Sequence, residues 1–190
     1  MQSYTPNTHS STLSSNPVSR VNYAESKSSH QRLNLAFDSD RTVSSRLRQR
    51  VQIDLDQLQP FERVERQFQN CGVTFKNAIA LIPSNPSFQP KIGQTVLMGS
   101  PKNGWMEATF ERPVRFVAGM VTASRSTVMA IYDANNRPLA RMKTEGPNLA
   151  NDTSNIPPDA ELCLEGEDIH RVTFHAFDGQ LTLSNFSFGF

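Results

Sequence analysis

The stretch Ile169–Phe190, IHRVTFHAFDGQLTLSNFSFGF, decides the fold. Apolar and polar residues alternate from Arg171 to Ala176, which is the period of a half-buried strand. The dipeptide Asp178-Gly179 is typical of a two-residue hairpin turn, because glycine adopts a positive φ without steric cost. A second apolar stretch follows, so the sequence predicts a β-hairpin.

The second strand of this stretch changes its register. Leu181 and Leu183 occupy odd positions, whereas Phe186 and Phe188 occupy even positions. A β-bulge near Ser184-Asn185 would turn both pairs toward the same core. We therefore predict a bulge there, with the two phenylalanines buried.

Composition and charge divide the 190 residues into two parts. Residues 1–50 contain 12 Ser, seven Lys or Arg and three Asp or Glu, whereas the remaining residues contain 12 basic and 15 acidic side chains. A polar, Ser-rich segment buries too little apolar surface to offset its ordering entropy. We predict an arm that is disordered in isolation over residues 1–48 and a folded domain over residues 49–190.

The sequence also bears on the cellular compartment. It contains no apolar run of about 18 residues that would span a bilayer and no signal-peptide pattern, which predicts a cytoplasmic protein, peripheral to a larger complex. Cys71 and Cys163 are too few for a disulfide framework. We expect both to be buried free thiols.

The folded part reads as mostly β-structure. Val51–Leu58 alternates like a strand, Phe61–Phe68 has helical apolar spacing, and Val73–Leu81 returns to strand. Short strands then follow near 95–99, 104–111, 114–123, 126–133, 138–144, 160–164, 169–177 and 180–188, with turn residues between most of them. This pattern predicts an all-β antiparallel sandwich or barrel with one short helix.

Four stretches carry a resemblance to a known family: QFQNCGVTFKNAIAL, WMEATFERPVRFVAGMV, STVMAIYDANNRPLA and IHRVTFHAFDGQLTLSNFSFG. Their order over residues 51–190 resembles the galactose-binding-like jelly rolls of bacterial and cyanobacterial surface proteins, here without a signal peptide or sorting anchor. The resemblance implies an all-β antiparallel jelly-roll β-sandwich; the family's secreted, sugar-binding setting does not carry over with the fold. Asn185 replaces the acid usual in the closing strand, which argues against inheritance of a structural calcium, and we predict no cofactor.

The candidate catalytic and metal-binding residues are few. Asp54 and Asp56 would lie about 7 Å apart on one strand face, where they either hold a hard cation or form a solvated face, the reading we favour. His170 and His175 point to opposite faces of a strand and cannot share a metal. Zinc-ligand spacing and a G-x-S-x-G motif are absent from the sequence. We predict a non-enzymatic protein without a metal site.

The arm contains an alternating apolar island and a cluster of arginines. These residues are Leu33, Leu35, Phe37, Arg41, Arg46, Arg48 and Arg50. They suggest an arm that orders on partner proteins, which predicts a structural subunit of a large assembly. Nucleic acid is the weakest partner choice, because the arm has few stacking aromatics and the domain is acidic.

The alternative function is a carbohydrate- or ligand-binding module. Trp105, Arg125 and Tyr132 lie at predicted loop edges and would form its rim. An aromatic ring at such an edge stacks on a sugar or packs in the core, and an arginine forms hydrogen bonds with hydroxyl groups or with a partner carboxylate.

Overall fold

The computed structural model describes residues 49–101, 104–150, 153 and 155–190. Within these residues the chain forms ten strands and three short 3₁₀ helices, none long and apolar enough to cross a membrane. The strands are β1 (Arg50–Gln52), β2 (Arg63–Val64), β3 (Val73–Lys76), β4 (Ala78–Leu81), β5 (Val96–Gly99), β6 (Trp105–Ala123), β7 (Val128–Tyr132), β8 (Pro138–Lys143), β9 (Ala160–His175) and β10 (Leu181–Gly189). The 3₁₀ helices span Leu55–Gln57, Gln69–Cys71 and Pro86–Phe88.

The ten strands form one continuous hydrogen-bonded sheet, and strand β6 belongs to both of its layers. Its first half, from Trp105 to Phe110, pairs with β3 and with the second half of β9. Its second half, from Val114 to Ala123, pairs with β10 and with the first half of β9. All strand pairs are antiparallel, so the chain is the all-β sandwich that the sequence predicts.

We name the two layers sheet A and sheet B. Sheet A has the order β3–β6–β9–β7–β8, and sheet B has the order β2–β4–β5–β10–β6–β9, with β1 beside β10. Strands β6 and β9 bend from one sheet into the other. Pairing of β6 with β9 stops at Thr109 and resumes at Val114. Pro113 lies in this interval, where its missing N–H costs the ladder no hydrogen bond.

The predicted hairpin in Ile169–Phe190 is wrong. The second half of β9 pairs with β6 and β7 in sheet A, whereas β10 pairs with β1, β5 and β6 in sheet B. The turn between them therefore crosses from one layer to the other. Alternation identifies a half-buried strand, but it does not identify the neighbour of that strand.

The turn also differs in detail from the prediction. Asp178, not Gly179, has the positive φ, 51°. Gly179 is required for space, because a Cβ there would lie 2.7 Å from the Cγ of Arg125. Gly104 faces the same turn with φ 56°, and a Cβ on it would lie 2.3 Å from the Gly179 carbonyl oxygen. This close approach ties the turn to the start of β6.

The predicted bulge is confirmed. The register between β10 and β6 shifts between Leu183 and Asn185. Leu183 before the shift and Phe186 and Phe188 after it are all fully buried. The bulge thus lets both halves of β10 face one core.

The predicted strand over Val51–Leu58 is mostly wrong. Strand β1 covers only Arg50–Gln52, and a 3₁₀ helix occupies Leu55–Gln57. The Asp54 carboxylate accepts the N–H of Asp56 at 3.0 Å and begins this helical turn. Short side chains that hydrogen-bond to their own backbone compete with strand formation in this way.

The predicted helix over Phe61–Phe68 is also wrong. Residues Arg63–Val64 form β2, which pairs with β4 at the edge of sheet B. Val64 and Phe68 are buried, but Phe61 is 81 % exposed and has a φ of 69°. Two anchors four residues apart fit a short strand and a turn as well as a helix.

The predicted strand Val73–Leu81 is divided between the two layers. Strand β3 lies in sheet A and β4 in sheet B. Asn77 between them has a φ of 59°, a conformation that Asn tolerates better than most residues. The later predicted strands agree closely, except that two neighbouring pairs are continuous as β6 and β9.

An aromatic cluster fills the core between the sheets. The Phe186 ring of sheet B lies 5.4 Å from Phe75, 6.4 Å from Phe110 and 6.3 Å from Phe174 of sheet A, measured between centroids. Gly119 allows this close packing, because a Cβ there would lie 2.6 Å from the Cδ1 of Leu183. Aromatic packing around Phe186 therefore joins the aliphatic core in holding the two layers together.

Two loops are attached to the outer face of sheet B, one between β4 and β5 and one between β8 and β9. The buried Asp159 carboxylate accepts the Lys91 N–H at 2.6 Å and the Ser184 hydroxyl at 2.6 Å, and its N–H donates to the Thr122 hydroxyl. The buried Asn148 side chain bridges backbone groups of β6 and the second loop. These bonds satisfy the buried polar groups that the loops bring.

We expect Phe186→Ala to lower the free energy of unfolding by about 3–5 kcal/mol, because it removes a fully buried ring and leaves a cavity. Phe177→Ala is the matched control, since Phe177 is 71 % exposed; its cost should stay within about 0.5 kcal/mol. Chemical denaturation of both variants measures the difference. Equal losses would contradict the assignment of Phe186 to the shared core.

Candidate ligand-binding face on sheet A

The outer face of sheet A presents three rows of side chains that follow from the strand register. The tyrosine row is Thr74, Thr109, Arg171 and Tyr132; the middle row is Lys76, Glu107, Thr173, Ala130 and Arg141; the tryptophan row is Trp105, His175, Val128 and Lys143. Successive rows are two residues apart along each strand, about 7 Å.

The tyrosine row contains a fixed stack. The guanidinium carbon of Arg171 lies 3.9 Å from the Tyr132 ring centroid, and its Nη1 donates to Glu107 Oε2 at 2.7 Å. The Arg171 and Glu107 side chains are 21 % and 15 % exposed. Arg171 Nε is buried without a hydrogen-bond partner in the described part of the chain. Stacking and the charge-assisted bond to Glu107 therefore hold the guanidinium.

The tryptophan row combines an indole with basic and apolar neighbours. Lys76 Nζ lies 5.9 Å from the Trp105 ring centroid. The His175 ring lies 5.7 Å from the ring of Phe177, which follows β9 and is mostly exposed. Trp105 and His175 are half-buried cross-strand partners. This end of the face thus offers an aromatic surface beside a cation.

Small side chains lie at the centre of the face. Thr173 and Ala130 are cross-strand partners and are only 7 % and 9 % exposed. Larger side chains of the tyrosine and tryptophan rows stand on either side of them. The register therefore places two small side chains between the tyrosine and tryptophan rows, and we name this middle row, which runs across the strands, the trough.

An open cleft of about 590 Å³ adjoins the face at β3 and β6. Glu65 and Gln69 line it from the segment between β2 and β3, and Thr74, Lys76 and Glu107 line it from the sheet. Glu107 belongs both to the cleft and to the ion pair with Arg171. The cleft and the trough are therefore neighbours on one surface.

The predicted rim residues are only partly brought together. Trp105 and Tyr132 lie on the same outer face, but their rows are about 14 Å apart along the strands. Arg125 lies in the turn between β6 and β7, where its side chain packs on Gly179. This places Arg125 near Trp105 at one end of the sandwich and away from Tyr132.

Sequence reasoning missed Glu107 and Arg171. The alternation in β6 and β9 places each of them on the polar side of its strand, and that signal was available. The contact between them depends on the register of two strands 64 residues apart in sequence. Their position beside Tyr132 depends on β7 as well.

Most of the predicted arm residues lie outside the residues that the structure describes. Leu33, Leu35, Phe37, Arg41, Arg46 and Arg48 lie outside the described residues, so their partner-binding role stays a prediction. Arg50 is the first residue of β1 and belongs to the sandwich. Its Nη2 donates to the Ser187 hydroxyl at 3.0 Å, and its guanidinium lies over the Phe116 ring.

Asp54 and Asp56 do not share a strand face as predicted. Asp56 Oδ1 accepts the backbone N–H groups of Gln94 and Thr95 at 3.0 and 2.8 Å. It borders a cleft of about 260 Å³ that also reaches Asn185. Within the described residues no group of three His, Cys, Asp or Glu side chains is placed to hold a metal ion. Asp56 instead fastens the loop before β5 to the 3₁₀ turn after β1.

The two cysteines are free, as predicted, but they are exposed rather than buried. Partial burial of the sulfur, together with Glu161 and Glu165, raises the pKa of the Cys163 thiol. A raised pKa disfavours the thiolate, which is the reactive form.

The hydrogen bonds to Asp56 give a pH prediction. The N–H groups of Gln94 and Thr95 hold the pKa of Asp56 below its usual value. Stability from this depressed pKa is present above the unfolded-state pKa, about 4, and is lost as the pH falls through the lower folded-state value. We expect acid unfolding of Asp56→Asn to depend less on pH in this range than that of the wild type.

Some acid sensitivity will remain in that variant. The backbone N–H of Arg137 also lowers the pKa of Asp133. Denaturant midpoints measured between about pH 2 and pH 6 compare the two proteins. Superimposable pH profiles would contradict the role given to Asp56.

Comparison with known proteins gives no family assignment: no family model and no curated protein matches the chain. One similar solved structure is TmCBM61 in complex with β-1,4-galactotriose, at 9 % identity and a TM-score of 0.32, over 67 % of this chain and 94 % of that one. Another is the enzymatically active domain of bacteriophage CBA120 tailspike protein 4, at 10 % identity and a TM-score of 0.29. It matches 67 % of this chain, which spans 20 % of the tailspike chain. Similarities at these TM-scores carry no conclusion about function.

Proposed function

We propose that this protein is a non-enzymatic carbohydrate-binding module and that its binding site is the outer face of sheet A. The observation that carries the proposal is the fixed array of Glu107, Arg171 and Tyr132 beside the open trough. The array presents an aromatic surface, a hydrogen-bond acceptor and a set of donors in one place. Their mutual contacts preorganise them, which lowers the ordering cost of binding.

The chemistry of the array matches that of a sugar ring. A pyranose has an apolar face of C–H groups and a rim of hydroxyl groups that both donate and accept hydrogen bonds. Arg171 covers one face of the Tyr132 ring, so Tyr132 offers its other face and its hydroxyl tip. Glu107 accepts, and Arg171 donates through N–H groups that Glu107 does not use. Ligand sites commonly combine apolar surface with a few fixed polar groups in this way.

The spacing of the aromatic residues indicates an extended ligand. Tyr132 and Trp105 stand on opposite sides of the trough, in rows about 14 Å apart. A single sugar ring does not bridge that distance. We therefore propose an oligosaccharide that lies along the trough, with one unit against Tyr132 on β7 and another against Trp105 on β6.

The charges on the face support binding rather than hydrolysis. Glycoside hydrolases use two carboxyl groups about 5–9.5 Å apart. Glu107 is the single carboxylate of the three rows, and Arg171 pairs with it. Glu65 and Glu111 line the adjoining cleft and lie outside the three rows; Glu111, four residues further along β6, is about 13 Å from Glu107 by strand geometry. The assembly-subunit function that the sequence favours depends on the arm over residues 1–48 and stays a prediction.

We expect Tyr132→Ala to weaken binding to the polysaccharide that the protein prefers by at least about tenfold, or about 1.4 kcal/mol, because it removes the stacking surface and frees Arg171. Affinity electrophoresis of the full chain through gels containing β-galactan, xylan, cellulose derivatives or polygalacturonate identifies that polysaccharide. Quenching of Trp105, the single tryptophan, gives the affinity for its oligosaccharides.

Phe61→Ala is the matched control, because Phe61 is an exposed aromatic residue next to β2 in sheet B. It should bind like the wild type. Absence of retardation by every polysaccharide, or equal binding by Tyr132→Ala and the wild type, would overturn the proposed function.

A further inference from the structure

Positive side chains outnumber negative ones on the outer face of sheet A. Its three rows contain four cations, Lys76, Arg141, Lys143 and Arg171, and one carboxylate, Glu107. Glu107 and Arg171 neutralise each other across 2.7 Å. The other three cations are exposed and form no ion pair with any described carboxylate. Lys76, however, lies beside its cross-strand partner Glu107 and in the cleft that Glu65 and Glu111 also line. The positive charge of the face is therefore least compensated at Arg141 and Lys143 on β8.

This excess charge is local. Residues 51–190 contain 12 basic and 15 acidic side chains, so the domain as a whole is slightly acidic. A surface that binds nucleic acid usually belongs to a domain with a basic balance, because phosphate contacts supply most of its affinity. The three cations thus fit a ligand with few, separated negative charges better than a phosphate backbone.

The positions of the cations fit such a ligand. Arg141 and Lys143 lie two residues apart on the same side of β8, about 7 Å along the strand. They are cross-strand partners of Ala130 and Val128, so they stand at the β8 end of the trough. Lys76 stands at the opposite end, on β3, over Trp105. A chain in the trough would meet a cation at both ends.

We propose that the carbohydrate bound by this face is acidic, with a carboxylate on its sugar units as in a polyuronate. This inference rests on the proposed function and names its ligand class. Arg141 and Lys143 bind ligand carboxylates at one end of the trough, and Lys76 binds one at the other. Arginine holds a carboxylate through two parallel N–H bonds, whereas lysine acts as a compact point charge. Tyr132 and the Glu107–Arg171 pair contact the sugar rings between them.

Polygalacturonate and its fully methyl-esterified form test the proposal, because the two polymers share a backbone and differ in charge. Affinity electrophoresis at low and moderate salt uses the full chain, the double variant Arg141→Gln with Lys143→Gln, and a control of equal charge change. The control is Arg63→Gln with Lys91→Gln, two exposed cations of the sheet B side.

We expect the wild type to bind the acidic polymer at least about tenfold more tightly than the esterified one, and increasingly so as salt is lowered. The Arg141/Lys143 variant should bind the acidic polymer about tenfold more weakly than the wild type and should bind the esterified polymer with unchanged affinity. The Arg63/Lys91 control should behave like the wild type. Thermal unfolding of each variant confirms that it is folded.

The outcomes separate this inference from the proposed function. If the wild type binds the acidic and esterified polymers equally and Tyr132→Ala still binds more weakly, the inference of an acidic ligand is overturned. The proposed carbohydrate-binding function then still stands. Absence of binding to any polysaccharide would overturn both. Equally tight binding of single-stranded RNA, with the same sensitivity to Arg141 and Lys143, would mean a general polyanion surface and would overturn the inference.

Discussion

The rest of the structure depends on the sharing of β6 between two sheets. This 19-residue strand pairs with β3 and β9 in one layer and with β10 and β9 in the other. Pro113 lies where it leaves the first layer, and Gly119 lies where Phe174 and Leu183 meet across the core. Because β6 belongs to both layers, β9 and β10 can both pair with it and follow each other in sequence without pairing with each other. The turn after β9 therefore crosses from one layer to the other.

The outer faces of the two sheets differ: loops cover part of sheet B, whereas the outer face of sheet A carries the proposed binding site. The bulge at Ser184 turns its hydroxyl toward Asp159, and this contact fastens two loops over part of sheet B. Sheet A has outward-facing polar residues on β3, β6, β9 and β8, with the small side chains of Thr173 and Ala130 at its centre. A trough arises there because the register places Thr173 beside Ala130. Its chemistry follows from the same register.

The positions of most strands were predictable from the sequence, but which strands pair with each other was not. Alternation and turn residues located most strands and the bulge at Leu183–Asn185, because these are local properties. The hairpin prediction failed because strand partners are decided by non-local packing around Phe186. The site residues divide in the same way. Trp105 and Tyr132 were found as aromatic residues near strand ends, whereas the Glu107–Arg171 pair needed the register of β6 and β9, and its place beside Tyr132 needed β7 as well. Arg125 was grouped with Tyr132 because sequence gives no distance across a sheet.

The central claim is that ligand binds on the outer face of sheet A, and amide chemical-shift mapping tests it most directly. A ¹H–¹⁵N titration with trigalacturonate would follow every backbone N–H at once. The account predicts the largest shifts at Glu107, Ala130, Thr173 and their neighbours in the three rows. Shifts confined to the cleft between Asp56 and Asn185, with the sheet A rows unchanged, would contradict it.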